Sequence, residues 1–200
     1  MTSNSIVGFE ALYRNQQNLR DKFVAYWDKT SARFANNPYV TGFDPLNEPF
    51  PGNFIKHPKR LLPGHADREN LAPMYELIQE KYMTNTNGTS KMWFEPNSFP
   101  DEIGSPIGHG NLGGVVFPVG FETPPGGEIG SPNHVLNDHS YCCQLTPSMC
   151  ASGEPLVEKA EQCYKWHENR IGQRADDARR LGVPLHLTEF GACLTEGPCT

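Results

Sequence analysis

Four short apolar runs, each closed by a polar or acidic residue, constrain this 200-residue chain more than any other feature of it. They lie at residues 39–44, 91–95, 134–138 and 184–189, with helical patterns before the first and between most of the others. Short strands alternating with helices are the signature of parallel βα units. The closing residues Glu48, Glu95, His139 and Glu189 stand 47, 44 and 50 residues apart. In parallel α/β folds, chemistry collects at the carboxyl ends of strands. A glutamate such as Glu48, set just past a strand and stopped by Pro49, stands where such folds place reactive groups.

The helices follow from apolar spacing. Phe9, Leu12, Tyr13, Leu19, Phe23, Val24, Trp27 and Phe34 predict one long helix over about 8–35, ended by Asn36-Asn37-Pro38. Leu71, Met74, Tyr75, Ile78 and Tyr82 predict a second over about 69–83. A third starts near Pro155 and stops at Gly182, with Arg179-Arg180 suited to its last turn. Residues 97–134 break the rhythm: Gly and Pro fill 15 of the 38 positions and no helical period survives. A loop of that length is usually functional. Its aromatics Phe99, Phe117 and Phe121 either line a groove for a lipid tail or anchor the loop to the body of the fold.

Composition excludes several classes. A net charge of −6 argues against a nucleic-acid partner. No run approaches the 18 or so apolar residues of a membrane span, and the first residues have no signal-peptide pattern. Six cysteines (Cys142, Cys143, Cys150, Cys163, Cys193, Cys199) form no C-x-x-C pair, which speaks for disulfides in an oxidising compartment over a zinc ribbon. Asn87-Gly88-Thr89 is a glycosylation sequon in a polar stretch. The match of residues 108–113 to G-x-G-x-x-G follows no strand and opens no helix, so the dinucleotide reading fails. His57, His65, His109, His167 and His186 show no metal-ligand spacing, and no G-x-S-x-G is present.

Glu48 and Glu189 sit in matching contexts, LNEP and LTEF, each at a strand end. Two glutamates converging on one cleft suit glycoside hydrolysis: one donates a proton to the leaving oxygen and the other attacks the anomeric carbon. A shared cleft of low dielectric pushes their pKa values apart. Asn47 fits as a donor to the sugar 2-hydroxyl, Tyr141 as a hydrogen-bond partner of the nucleophile, and His139 as a group orienting the acid/base. A strand-end Glu that merely caps a helix or pairs with an Arg is the plainer alternative for either one taken alone.

The ordered set NEP, H-x-Y, TEFG resembles glycoside hydrolase family 5, of the retaining (β/α)8 clan A. The stretches NPYVTGFDPLNEPFPG, WFEPNSFP, HVLNDHSYCC and LHLTEFGAC look like its endoglycoceramidase branch, over residues 20–195. The resemblance implies Glu48 as acid/base, Glu189 as nucleophile, Asn47 as a sugar-binding residue, and His139 with Tyr141 as the strand-six pair. It gives Glu95 at most a substrate-positioning role. It implies cleavage of the β-linkage between glycan and ceramide without a metal or organic cofactor. A glycolipid or oligosaccharide substrate, transient contact with a membrane or micelle surface, and an extracellular or lysosomal setting go with it.

A (β/α)8 barrel needs about 250 residues. The four strands resemble barrel strands four to seven, so residues 1–200 read as a partial catalytic domain, an α/β half of a TIM barrel, with the first three strands and the last one missing. Pro45, just before the acid/base position, removes a ladder donor and threatens local strand geometry. The alternatives are another family 5 β-glucosidase, glucosylceramidase or β-glucanase, or an inactive truncated remnant that binds glycan or lipid.

Overall fold

The computed structural model of the chain describes residues 3–97, 116–141 and 157–191. Its centre is one parallel sheet of four strands: β1 (Gly42–Phe43), β2 (Lys91–Phe94), β3 (His134–Tyr141) and β4 (Leu185–Gly191). Each strand pairs with the one before it in sequence, and every pairing is parallel. Among the described residues, four α-helices accompany it: α1 (Ser3–Tyr13), α2 (Leu19–Phe34), α3 (Ala72–Thr86) and α4 (Val157–Leu181). The result is the expected α/β architecture, a curled half of a (β/α)8 barrel.

Alternation along each strand divides the sheet into two faces. Phe43, Met92, Phe94 and Leu136 point towards the helices, and with Met74, Tyr75, Ile78 and Tyr82 of α3 they make the core. Phe43 packs on Trp27 of α2 and Tyr82 of α3, with ring centroids 6.0 and 5.0 Å apart. The opposite, concave face carries Asp44, Trp93, Glu95, Asn137, His139 and Tyr141, which reach across strands to one another and to β4. β1 and β2 thus bury Phe43, Met92 and Phe94 outwards and turn Asp44 and Glu95 to the barrel axis.

Three elements depart from the sequence expectation. The long helix over 8–35 is two helices, because Asn15, Gln17 and Asn18 adopt left-handed backbone. Asparagine tolerates that conformation, and the Asn15 side chain accepts from the backbone N–H of Asp21 at 3.1 Å, capping the start of α2. Both halves still present apolar residues to the same core, which is why the spacing looked continuous. The first strand is two residues long instead of six, with Tyr39 93% exposed ahead of it. Gly42 is required there, since a Cβ would lie 2.1 Å from the carbonyl oxygen of Lys91. The helix expected over 69–83 becomes α3, preceded by a π-turn over Asp67–Leu71.

Phe121 belongs to the core, edge-on to Phe94 at 5.2 Å, so the anchoring role expected of the loop aromatics applies to it. The loop is further tied by Asp67, which accepts from the backbone N–H groups of Asn97 and Gly120 at 2.8 Å each. Phe99, the G-x-G-x-x-G stretch and five of the six cysteines lie outside the described residues, and so does their pairing. Cys163 packs on Val116 and Trp166. Asn87 of the sequon is exposed and caps the C-terminus of α3. No described helix is long and apolar enough to cross a membrane.

Candidate active site

The carboxyl ends of the four strands bring Glu48, Glu95, His139, Tyr141 and Glu189 together. Glu48 lies in the turn after β1. Its φ is +44°, left-handed backbone for a residue with a Cβ, a conformation that costs on the order of 1–3 kcal/mol and clusters at active sites. The turn is held from below: the Glu48 N–H donates to Glu95 Oε2 at 2.8 Å. Glu48 Oε1 lies 2.9 Å from His139 Nδ1. Asn47, exposed beside it, is free to face a ligand.

β3 supplies three inward residues two apart. Asn137 donates from Nδ2 to Asp44 Oδ2 at 2.7 Å and to Glu95 Oε1 at 3.1 Å. His139 is 3% exposed. Tyr141 donates to Glu189 Oε2 at 2.9 Å. The outward face of the same strand is clamped by α4. Arg170 donates to the His139 carbonyl at 2.6 Å and to Asp138 Oδ1 at 2.7 Å, and Arg174 to Asp138 Oδ2 at 2.9 Å. These buried ions are paired with one another, as buried charges must be, and they fix the height of His139 along the barrel.

β4 presents Glu189 through a bulge. Asp138 pairs with Leu187, but His139 pairs with Glu189, so Thr188 is an extra residue in the register. Bulges re-aim side chains and are over-represented next to active sites. Here Thr188 and Glu189 both reach the concave side: Thr188 donates to Asn137 Oδ1 at 2.8 Å, and Glu189 meets Tyr141.

The hydrogen bonds also fix the protons. Asn137 turns its NH2 to two carboxyls, so its oxygen accepts from Thr188. That uses the only hydroxyl proton of Thr188, and His139 Nε2, 3.1 Å away, therefore donates to it. Nδ1 then faces the carboxylates of Glu48 and Glu189, at 2.9 and 3.5 Å. Burial opposes a charge on His139, but the bond to Glu48 and the fields of Glu95, Glu189 and Glu48 outweigh it, and its pKa is raised. The same bond from His139 holds Glu48 below its ordinary value, against the effect of burial. The proton of this pair sits mainly on the ring. One oxygen each of Glu48 and Glu189 and a ring nitrogen of His139 lie within 4.8 Å of one another. A ring with a raised pKa set between two carboxylates suits proton transfer.

Glu95 is 3% exposed, with its carboxyl turned to the Glu48 backbone and to Asp44, beneath the cleft floor. Burial, reinforced by the Asp44 charge, pushes its pKa up to about 8. Sequence reasoning missed Asp44, Asn137, Thr188 and Arg170. Asn137 was accessible from strand alternation, two residues before His139; Asp44, buffered by Pro45, and the bulged Thr188 carry no local signal.

No family model matches the chain. It is 35% identical to an endoglycoceramidase of Hydra vulgaris over 133 residues, covering 66% of this chain and 23% of that protein. It is 29% identical to an endoglycoceramidase of Cyanea nozakii over 140 residues, covering 70% and 25%. The chain thus spans about a quarter of the length of these curated relatives. In fold it is similar to endo-glycoceramidase II from Rhodococcus sp. in complex with a cellobiose-like imidazole: TM-score 0.62, 21% identity, 90% of this chain and 36% of that one. The lactosyl-enzyme intermediate of that protein superposes with TM-score 0.56 at 20% identity (90% and 34% covered), and its ganglioside GM3 complex with 0.54 at 17% (95% and 44% covered). The resemblance to the endoglycoceramidases read from the sequence holds in these comparisons.

Proposed function

Taking the chain as an endoglycoceramidase-like half-barrel, we propose that it carries both catalytic carboxylates of a retaining glycoside hydrolase that cleaves the β-bond between glycan and ceramide in glycosphingolipids. The observation that carries this reading is the meeting of Glu48, His139 and Glu189 within 4.8 Å, with Tyr141 on Glu189. Such close oxygens support a retaining mechanism, whose carboxyls lie about 5–5.5 Å apart, over an inverting one, at about 6.5–9.5 Å.

Glu189 attacks the anomeric carbon while the bond to the ceramide oxygen breaks. Tyr141 and His139 hold the attacking carboxylate in line. Glu48 delivers the proton to the leaving oxygen; His139 supplies it across their hydrogen bond as negative charge builds on that oxygen. This assignment reconciles a general acid with a lowered pKa: the proton is stored one atom away and moves only when the leaving group needs it. In the second half, Glu48 takes a proton from water, which attacks the anomeric carbon and frees Glu189. Asn47 binds the sugar 2-hydroxyl, a contact that strengthens in the transition state.

The named relatives act as support for the substrate: two are endoglycoceramidases, and one solved neighbour holds ganglioside GM3. Such a substrate brings transient contact with a membrane or micelle surface and an extracellular or lysosomal setting. A family 5 β-glucosidase, glucosylceramidase or β-glucanase would use the same carboxylates. Incubating the folded chain with a fluorescent ganglioside and with an aryl β-glucoside separates the readings. Release of intact oligosaccharide supports the proposal. Turnover of the glucoside alone selects the other glycosidases, and binding without turnover of either makes the chain an inactive remnant.

A further inference from the structure

Beneath the cleft lies a pair of carboxyls that the reaction itself does not use. Asp44, just past β1, and Glu95, at the end of β2, converge on one amide group. Asn137 Nδ2 donates to both, at 2.7 and 3.1 Å. The remaining Glu95 oxygen accepts the N–H of Glu48, the left-handed residue. Two ionised carboxylates in contact repel strongly, and one proton between them turns that repulsion into a short, charge-assisted bond. Glu95, 3% exposed, is the more enclosed of the two and the better placed to carry the proton, although burial raises Asp44 as well.

We infer that Asp44 and Glu95 hold one proton between them and act as positioning residues for Glu48, keeping its peptide in the left-handed turn that aims its carboxyl into the cleft. The inference rests on the reading of Glu48 as acid/base for its meaning, but not for its test. The groups facing Glu95 are Asp44 and the Glu48 peptide from the first strand's turn, Asn137 and His139 from β3, and the Tyr75 hydroxyl of α3, which donates to the Glu95 carbonyl at 3.2 Å. Of these, His139 favours ionisation of Glu95 and Asp44 opposes it; burial sides with Asp44 and pushes the pKa to about 8. When the proton leaves, two charges face each other beside a single amide donor. The floor under Glu48 then loosens.

Two measurements on the full chain test this. Infrared difference spectra across a pH titration should show a protonated carboxyl that persists far above the ordinary glutamate value of about 4.3 and disappears near pH 8, at the Glu95 transition. Hydrogen exchange at the Glu48 amide, corrected for its intrinsic pH dependence, should speed up about tenfold or more through the same transition. Glu95→Gln keeps a neutral side chain, and should abolish both the infrared band and the pH dependence while leaving the amide protected. Glu95→Ala should leave that amide fast at every pH. Glu48→Gln removes the reactive carboxyl but keeps the N–H, and should leave both signals intact even if the glycosidase reading fails. Absence of the protonated carboxyl, its survival in both Glu95→Gln and Asp44→Asn, or Glu48 exchange indifferent to Glu95→Ala overturns the inference.

Discussion

The hydroxyl of Tyr141 donates to Glu189 Oε2 at 2.9 Å, joining the last turn of β3 to the bulged strand β4. A donor aimed at a carboxylate is worth roughly 1.5–3 kcal/mol. In the proposed mechanism it orients the nucleophile without touching the leaving group. Tyr141→Phe is therefore expected to lower kcat about 10- to 100-fold, with KM little changed. Steady-state kinetics on a β-glycosyl fluorophore reads this directly. A variant with normal kcat removes Tyr141 from the mechanism.

Glu189→Gln should abolish turnover, because the amide cannot form the glycosyl-enzyme bond. Glu189→Ala clears space for an external nucleophile, and azide should restore cleavage with release of a glycosyl azide. Turnover in Glu189→Gln at the wild-type level would dismiss Glu189 as nucleophile.

The pH profile follows from the Glu48–His139 pair. The acid function needs a proton in the pair, and the pair loses it only above the raised pKa of His139. Without the imidazole, Glu48 must hold the proton alone, near the ordinary carboxylate value of about 4.3. His139→Asn is thus expected to move the alkaline limb of kcat/KM to lower pH. A limb that stays in place would locate the proton elsewhere.

Arg170 and Asp138 govern folding more than chemistry. Both are buried, and removing one partner strands the other charge. Arg170→Ala should cost about 3–5 kcal/mol in urea unfolding, and should also release the carbonyl of His139. Burial alone would raise Asp138, but the charges of Arg170 and Arg174 win and hold its pKa below the usual value. A depressed carboxylate contributes stability that is present above its unfolded pKa and lost as pH falls through its folded one. The wild-type unfolding midpoint should therefore drop on acidification below the usual aspartate range. Glu95 runs opposite: its raised pKa lowers stability as pH climbs from the ordinary glutamate value towards about 8.

Strand number, order and the reactive ends were legible because each depends on local pattern: an apolar run, a stop, and an acidic residue where it is costly to place one. Glu48, His139, Tyr141 and Glu189 do come together at the strand ends. What stayed hidden depends on contacts between segments distant in the chain. The break at Asn15–Asn18 leaves both helix halves on one core, so periodicity could not register it. The need for glycine at position 42 appears only once β1 lies against Lys91 of β2. The partnership of Asp44 with Glu95 exists only once β1 and β2 lie side by side.

Thr188 sets one last condition on this chain. Bulged out of the ladder, it leaves Glu189 opposite His139; paired within the ladder, it would itself stand opposite His139 and strict alternation would run on from Leu187. That regular pairing would set Glu189 opposite Ser140, sending its carboxyl towards the helices and swinging Phe190 onto the barrel axis. The proposed nucleophile would then survive as a letter in the sequence and vanish as a place in space. In this strand it is the bulge, as much as the identity of the residues, that natural variation has to keep.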